Sequence, residues 1–164
     1  MKKDVLMYFD LITSIKTIQE VSDLSLEIDI LMSTFFKSEK MSLDKAIDAI
    51  SITNGKKIME IFEKNSLDLN DKKLTSDFLE TLKDLIKKFK VIKLVLAFDP
   101  TLKTIENIHS FVTNEIGIGY VLDVEVSEGV CGGAIVVFNG KYKDFTLRKS
   151  LEEVFANKSL KILK

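Results

Sequence analysis

The side chains that most often carry out catalysis are few in this sequence, and they do not stand together. The only histidine, His109, has no second histidine or cysteine near it, so neither a zinc site nor a catalytic pair is indicated. We interpret it as a structural or surface residue. The only cysteine, Cys131, has no recognisable base and is interpreted as a small structural side chain. The sequence therefore predicts no catalytic residue, metal or cofactor.

Glycines surround this cysteine in the run Gly129-Val130-Cys131-Gly132-Gly133. A glycine-rich loop that cradles phosphate follows a strand and opens a helix, because the helix N-terminus supplies the amides that bind the anion. This run instead leads into an apolar stretch, Ala134 to Phe138, which is typical of a strand. Neither a nucleotide nor another small-molecule ligand is predicted.

The charges of the chain are balanced. Lys plus Arg number 24 and Asp plus Glu number 25, so the net charge is -1, and Arg148 is the only arginine. A nucleic-acid surface is therefore not indicated. Carboxylates lie three or four residues from lysines, as in Glu60 with Lys64 and Glu80 with Lys83, and this predicts weak ion pairs on exposed helix faces.

The composition predicts a globular protein with two parts. The 164 residues are 46% hydrophobic, which is enough for a core. Gly55 is the only glycine before Val91, whereas the other six lie between Gly117 and Gly140. No apolar run approaches the roughly 20 residues that span a bilayer. The N-terminus lacks the pattern of a secretory signal, and one cysteine forms no intrachain disulfide, so we expect a reducing cytoplasm.

Apolar residues in the first ninety positions recur every three or four residues, as in amphipathic helices. Two early helices are indicated by Val5, Phe9 and Ile12 and by Leu24, Ile28 and Leu31. Later helices are predicted from Leu43 to Thr53, from Lys56 to Lys64 and from Leu74 to Lys90, with a polar connection from Asn65 to Lys73. Ser22, Ser42 and Thr75 are predicted N-caps.

Strands dominate the pattern after this point. The run Val91 to Phe98 predicts a buried strand, and Asp99 and Pro100 are predicted to be the N-cap and first residue of a helix that Gly117 ends. Leu102, Ile105, Ile108, Val112 and Ile116 form the apolar stripe of this helix.

The remaining segment predicts a hairpin between two further elements. Tyr120 to Val126 alternates like a strand with one wet face, and Asn139-Gly140 favours a type I′ turn between Ala134–Phe138 and Lys141–Lys143. A closing helix contains Leu147, Leu151, Val154 and Phe155. We predict the α+β class, with an all-helical bundle over 1–90 and a β-α-β-β-β-α domain over 91–164, its sheet covered by two helices.

The second part resembles the C-terminal region of the delta subunits of ATP synthase, the family that includes mitochondrial OSCP. Over about 65 residues, Val91 to Phe155, strand, break and helix follow in the family's order. The motif is a glycine pair before an apolar strand, then a turn and Asp-x-Ser/Thr-aliphatic-Arg-x-x-Leu. The matching residues are Gly132, Gly133, Asp144, Thr146, Leu147, Arg148 and Leu151.

The motif residues also have a physical interpretation. Asp144 or Thr146 can cap the closing helix, Leu147 and Leu151 can share its buried face, and the glycines admit backbone where a side chain would not fit. The first part departs from the family's six-helix bundle, because only about ninety residues are present. There only Tyr8-Phe9 resembles the family's start.

The resemblance implies a non-catalytic stator subunit of a rotary F-type ATP synthase. Such a protein ties the N-terminal helices of the alpha subunits to the b subunits of the peripheral stalk, and it resists torque during proton-driven synthesis. It would lie in the cytoplasm, on the inner face of the membrane through the complex alone. By the same resemblance, Tyr8, Phe9 and Ile12 would touch the alpha subunit, while the Gly132 to Leu151 region would receive the b subunit.

Two other interpretations remain. The E-type stator subunit of V/A-type ATPases and its export-apparatus relatives have similar C-terminal domains, but they begin with one long heptad-bearing helix. Here breaks are predicted near Ser22, Ser42, Gly55 and 65–71. A free-standing α/β module is the more remote alternative, because an enzyme or nucleic-acid module would need a polar constellation that this sequence lacks.

Overall fold

Helices make up the first part of the chain and a four-stranded sheet the second, in a computed structural model that describes residues 6–37, 41–148, 151–152 and 154–155. The predicted α+β class is confirmed. The chain divides into two units, which we call the N-terminal unit (1–90) and the C-terminal unit (91–164). Val5, which was predicted to lie in the first helix, falls outside the described residues, as does part of the closing helix.

The N-terminal unit consists of short helices joined by tight connections. They are α1 (Phe9–Ser14), α2 (Ile18–Phe35), α3 (Leu43–Ala46) with a 3-10 turn (Ile47–Ala49), α4 (Ile52–Lys64) and α5 (Lys72–Ile86). Apolar residues at helical spacing face inward, so Leu24, Ile28, Leu31 and Phe35 of α2 are all buried. Phe62 and Phe78 meet edge to face, with ring centroids 4.9 Å apart.

The predicted helix from Leu43 to Thr53 is wrong, because the chain breaks within it. Ile50 has an extended backbone, and Ser51 caps α4 by accepting a hydrogen bond from the Asn54 amide. Helix α4 therefore begins at Ile52, four residues before the predicted start at Lys56. A serine hydroxyl that satisfies a free amide stabilises a new helix start, and periodicity alone did not indicate it.

Two of the three predicted N-caps are also wrong. Helix α2 begins before Ser22, since Thr17 and Glu20 form a capping box in which each side chain accepts the other's backbone N–H. Helix α5 is capped by Asp71, whose Oδ1 accepts the Leu74 amide at 3.0 Å, and Thr75 lies inside this helix. Ser42 does occupy the N-cap position of α3.

The C-terminal unit is built on a mixed sheet. Its elements are β1 (Lys90–Leu96), α6 (Leu102–Glu115), β2 (Tyr120–Val126), β3 (Ala134–Phe138) and β4 (Lys141–Asp144). The strand order is β2-β1-β3-β4, and β3 runs antiparallel to both of its neighbours. The Ser127 amide, just after β2, donates a hydrogen bond of 2.9 Å to the carbonyl of Leu96, the last residue of β1. The carboxyl ends of these neighbouring strands therefore lie side by side, so β1 and β2 run parallel.

Helix α6 packs on one face of the sheet. Its Val112 lies in a core cluster with Ile92, Leu94 and Leu96 of β1 and Leu122 of β2. The predicted cap is wrong, since α6 starts at Leu102 with the Thr101 hydroxyl accepting the Thr104 amide at 3.2 Å. The residues predicted to end the helix and to turn the hairpin are correct: Gly117 has a positive φ, and so do Asn139 and Gly140. Within the described residues, no helix is long and apolar enough to cross a membrane.

Candidate functional site

The glycine pair of the family-like motif lies where two backbone segments come very close. Gly132 and Gly133 have φ angles of +67° and +79°, a region that other residues rarely occupy. A Cβ on Gly133 would stand 2.3 Å from the Phe145 carbonyl oxygen, and one on Gly132 would stand 2.8 Å from the Leu147 Cδ1. A side chain is therefore excluded at Gly133 by conformation and by the nearby backbone, whereas at Gly132 it is disfavoured mainly by conformation, because the Leu147 side chain can move aside.

Hydrogen bonds hold the two halves of the motif together. The Phe145 amide donates to the Ala134 carbonyl at 2.9 Å, and the Leu147 amide donates to the Cys131 and Gly132 carbonyls at 3.1 and 3.3 Å. We call this contact of residues 131–134 with 144–147 the glycine turn. It lies at one end of the sheet, because the Ala97 amide, just after β1, donates to the Gly133 carbonyl. The motif residues thus hold two backbone segments together at this end of the sheet.

The side chains of Asp144 and Arg148 each contact a residue close to them in the sequence. The Asp144 Oδ1 accepts the Thr146 amide at 2.8 Å, which fixes the chain before the residues with helical backbone at Arg148, Leu151 and Glu152. Arg148 pairs with Glu152 one turn away at 3.0 Å, and both side chains are mostly exposed. This exposed pair contributes little to stability.

The expectation that Leu147 and Leu151 share a buried face is wrong. Leu147 is 56% exposed and Leu151 is 39% exposed. Three neighbouring apolar residues, Phe145, Val154 and Phe155, are exposed as well. Residues 147, 151 and 154 are spaced four and three apart, which is the spacing of one side of a helix, although Leu147 itself lies just before the first residue with helical backbone. We call the five residues together the C-terminal apolar surface.

The two residues considered for catalysis have different surroundings. His109 is buried, with its Nε2 3.1 Å from the Tyr120 carbonyl oxygen, so it links α6 to the start of β2. Cys131, which we interpret as a small structural side chain, is exposed. Among the described residues, no three His, Cys, Asp or Glu side chains are grouped so that they could hold a metal ion.

The residues predicted to touch the alpha subunit lie mostly inside the N-terminal unit. Tyr8 is 2% exposed: its ring stacks on Phe78 with centroids 4.9 Å apart, and its hydroxyl donates to the Phe78 carbonyl. Ile12 is also buried, and only Phe9 is exposed. The contact of these three residues with an alpha subunit stays a prediction, but Tyr8 and Ile12 belong to the core of the unit and Phe9 alone of the three presents an exposed side chain.

A groove lies directly beside Tyr8 and Phe78. It has a volume of about 470 Å³ and its apolar lining includes Met7, Leu67 and Leu74. Asp71 and Asp77 also line it. We call it the N-terminal groove. Sequence reasoning missed it because its walls come from three separate segments, although Leu74, Phe78 and Thr81 at helical spacing were a partial signal.

Ion pairs in this unit join helices that are distant in sequence. Lys64 pairs with Asp10 of α1 at 2.9 Å, and Lys83 pairs with Asp29 of α2. The predicted local partners, Glu60 and Glu80, are not the residues that these lysines contact. Tertiary packing brought a closer carboxylate to each ammonium than the helix surface offered, so each pair connects two helices that are distant in sequence.

No known protein-family model matches this sequence, and no curated protein matches it. The resemblance to the delta family therefore depends on the motif residues alone. The geometry of the glycine turn, the N-terminal groove and the C-terminal apolar surface are the structural features from which a function can be argued.

Proposed function

We propose that this protein is a delta-type stator subunit of a rotary ATP synthase, which connects the alpha subunits of the catalytic head to the b subunits of the peripheral stalk. It would resist the torque of the rotor and catalyse no reaction itself. The observation that carries the proposal is the glycine turn. Seven residues at the spacing of the family motif come from two segments, and most of them meet at one sheet end.

The N-terminal unit favours this proposal over the E-type alternative. An E-type stator protein begins with one long helix, whereas the described helices here contain between 4 and 18 residues and have separate caps. The Thr17–Glu20 capping box and the caps at Ser51 and Asp71 each start a new helix direction. This arrangement suits a bundle that presents grooves between helices.

The N-terminal groove is the proposed contact for an alpha subunit. An apolar floor formed by Leu67, Leu74 and Phe78 fits the apolar face of an amphipathic helix. Asp71 and Asp77 outnumber the single lysine of the lining, Lys73, so the groove is weakly acidic and favours a lysine or arginine on that helix. Tyr8 supports the floor through its stacking on Phe78, which replaces the direct role that the sequence predicted for it.

The C-terminal apolar surface is the proposed contact for a b subunit. Its five apolar side chains are between 39% and 64% exposed, and they lie at and beyond the glycine turn. An apolar patch of this kind on a protein surface is typical of a protein interface. Through such contacts the protein would lie at the inner face of the membrane, held there by its complex.

The proposal is tested with purified full-length protein and the alpha and b subunits encoded in the same genome. Leu74→Glu changes the N-terminal groove, Val154→Glu changes the C-terminal apolar surface, and Ile30→Glu changes an exposed apolar residue outside both. We expect Leu74→Glu to lose alpha binding alone and Val154→Glu to lose b binding alone, with Ile30→Glu binding both. If the unaltered protein binds neither of them in co-elution experiments, the proposal is wrong.

A further inference from the structure

A second groove in the N-terminal unit lies between the 3-10 turn and α4. Its volume is about 370 Å³, and Ile47, Ile50, Ile52 and Met59 form its apolar part. Ile52 is 77% exposed, although it is the first residue of a helix whose other isoleucines are buried. We call this the α4 groove. It shares no lining residue with the N-terminal groove, so a partner here would be additional to the proposed stator contacts.

Gly55 lies in this groove and breaks a local rule of helix composition. It is the fourth residue of α4, where glycine weakens the helix relative to alanine. The fold itself has room for a side chain at this position, because a Cβ would lie 3.4 Å from Ile47 Cγ1, the nearest atom, and 3.9 Å from Ile50 Cγ1, which are ordinary contacts. Such a departure from local preference points to a functional position. A glycine here keeps the groove floor open.

The charged lining of the α4 groove is acidic. It carries the carboxylates of Asp48, Glu60 and Glu63 and one ammonium, that of Lys56, so three negative charges against one positive leave a net charge of -2. All four residues are exposed. A partner that fills the apolar floor would be favoured by positive charges at its edges, and an anionic ligand or nucleic acid would be repelled.

The length of the groove suggests the shape of its occupant. The lining residues Ile52, Gly55, Met59 and Glu63 follow one side of α4 at spacings of three and four. From Ile52 to Glu63 this side measures about 16 Å at 1.5 Å per residue, or three helical turns. A second helix that lies along it would place apolar residues over Gly55 and Met59 and basic residues beside Glu60 and Glu63.

We propose that the α4 groove binds an amphipathic helix of a partner protein, with an apolar stripe about three turns long flanked by lysine or arginine. Gly55 determines how closely that helix approaches, because any side chain at this position would occupy the floor. The carboxylates of Glu60 and Glu63 favour a partner helix that carries positive charges. This inference is independent of the stator assignment, since it uses neither the motif residues nor the N-terminal groove.

The probe is a synthetic helical peptide of about 15 residues, enough for three turns with their ends. It carries leucines at positions i, i+4, i+7 and i+11 and lysines beside them, and the reference peptide has glutamates in place of the lysines. Binding to the full-length protein is followed by fluorescence anisotropy. We expect the lysine peptide to bind and the glutamate peptide to bind at least about tenfold more weakly, with a difference that shrinks as salt rises.

Gly55→Ala is the decisive variant, because it should not unfold the protein. The alanine should raise the melting temperature by about 2 to 4 °C while it weakens binding of the lysine peptide at least about fivefold. Glu60→Gln with Glu63→Gln should weaken binding as well, whereas Glu80→Gln, an exposed carboxylate on α5, should not change it.

Three results would overturn the proposal. They are absence of binding by the lysine peptide, equal binding of both peptides, and unchanged affinity in Gly55→Ala. Sedimentation of the free protein tests whether the groove is occupied by a second copy of this chain. If the protein forms a dimer that Gly55→Ala dissociates, the groove binds that second copy and the inference is wrong.

Discussion

The two units use their apolar residues differently. Of the twelve largest fully buried side chains among the described residues, eleven belong to the N-terminal unit and only Leu122 belongs to the C-terminal unit. Both units expose some large apolar side chains, and in the C-terminal unit five of them lie between Phe145 and Phe155. Exposed apolar surface that is grouped in this way is typical of protein interfaces. The comparison shows a helical unit with the larger buried core and a sheet unit whose exposed apolar residues are grouped at one end of its sequence.

The units also differ in what holds their chain turns. In the N-terminal unit, side-chain oxygens of Thr17, Ser51 and Asp71 accept the free amides of helix starts. In the C-terminal unit, Thr101 caps α6 in the same way, but the glycine turn is held mainly by backbone groups that bind each other directly, as in the Leu147 amide with the Cys131 carbonyl. Substitutions at the capping residues should therefore act through lost hydrogen bonds, and a substitution at Gly133 should act through steric exclusion.

The largest effect is expected at Gly133. An alanine there would have an unfavourable positive φ and would place its Cβ 2.3 Å from the Phe145 oxygen, so we expect a loss of stability of about 3 kcal/mol or more. Gly140→Ala is the matched control, since Gly140 also has a positive φ but no atom lies within 4 Å of its Cβ position. The control should lose only about 1 kcal/mol. Urea unfolding of the two variants measures the difference, and equal losses would refute the steric role of the glycine turn.

Glu27 should have the next largest effect, and in the other unit. Its Oε1 accepts the Ser51 amide at 3.2 Å and its Oε2 accepts the Asn54 side chain at 2.7 Å, so a residue of α2 caps the start of α4. We expect Glu27→Ala to lower the free energy of unfolding by about 1 to 2 kcal/mol. Asp23→Ala serves as the control, because the exposed Asp23 is bonded to Gln19 on its own helix. If both variants unfold at the same urea concentration, the cap contributes nothing.

A substitution at Thr75 is expected to raise the stability of the protein, in contrast to the substitutions at Gly133 and Glu27. It is buried in α5, and its hydroxyl has no hydrogen-bond partner within the described residues. Thr75→Val replaces the hydroxyl by a methyl group of similar size, so we expect a gain in stability of about 1 kcal/mol. Thr75→Ser, which keeps the hydroxyl and loses the methyl, should be destabilising. A rise in melting temperature for the valine variant alone would agree with this account, and a fall would show that the hydroxyl is needed.

The smallest effects concern one exposed ion pair in each unit. Asp10 raises the pKa of Lys64, mainly through their hydrogen bond, and Glu125 raises the pKa of Lys93 in the same way. Any stability from these pairs is present below the usual lysine pKa of 10.5 and is lost as the pH rises through the raised pKa. Because both ion pairs lie at the surface, with lysine side chains 61% and 45% exposed, we expect Lys64→Met and Lys93→Met to melt within error of the unaltered protein at pH 7. A clear drop in the melting temperature of either variant at pH 7, which disappears near pH 11, would contradict this expectation.

Sequence periodicity predicted the main elements well because each has one dominant apolar face. Of the predicted stripe on α6, Ile105, Ile108 and Val112 pack on the sheet, whereas Leu102 and Ile116 at its two ends are exposed. The Asn139-Gly140 turn joins β3 to β4 as predicted. Helix starts were harder to predict, because several short polar residues compete within a few positions. The choice of Thr17 over Ser22 depended on a reciprocal bond to Glu20.

Surface properties were the least predictable from sequence. Leu151 has the spacing of a core residue and is 39% exposed, whereas Tyr8 was expected at an interface and is buried. Apolar spacing identifies a face but does not say whether that face meets the protein's own core or a partner. The N-terminal groove and the α4 groove depend on segments brought together by folding, so the helical spacing of Leu74, Phe78 and Thr81 indicated only one wall of the first groove.

The central claim is that the two units bind different subunits of one complex. The most direct test is hydrogen–deuterium exchange of the full-length protein, measured alone, with a saturating C-terminal helix from b, and with a saturating N-terminal helix from alpha. We predict that the b helix slows amide exchange in 145–155 and leaves 72–86 unchanged, and that the alpha helix does the reverse. Protection of 72–86 by the b helix, or no protection by either, would contradict the account.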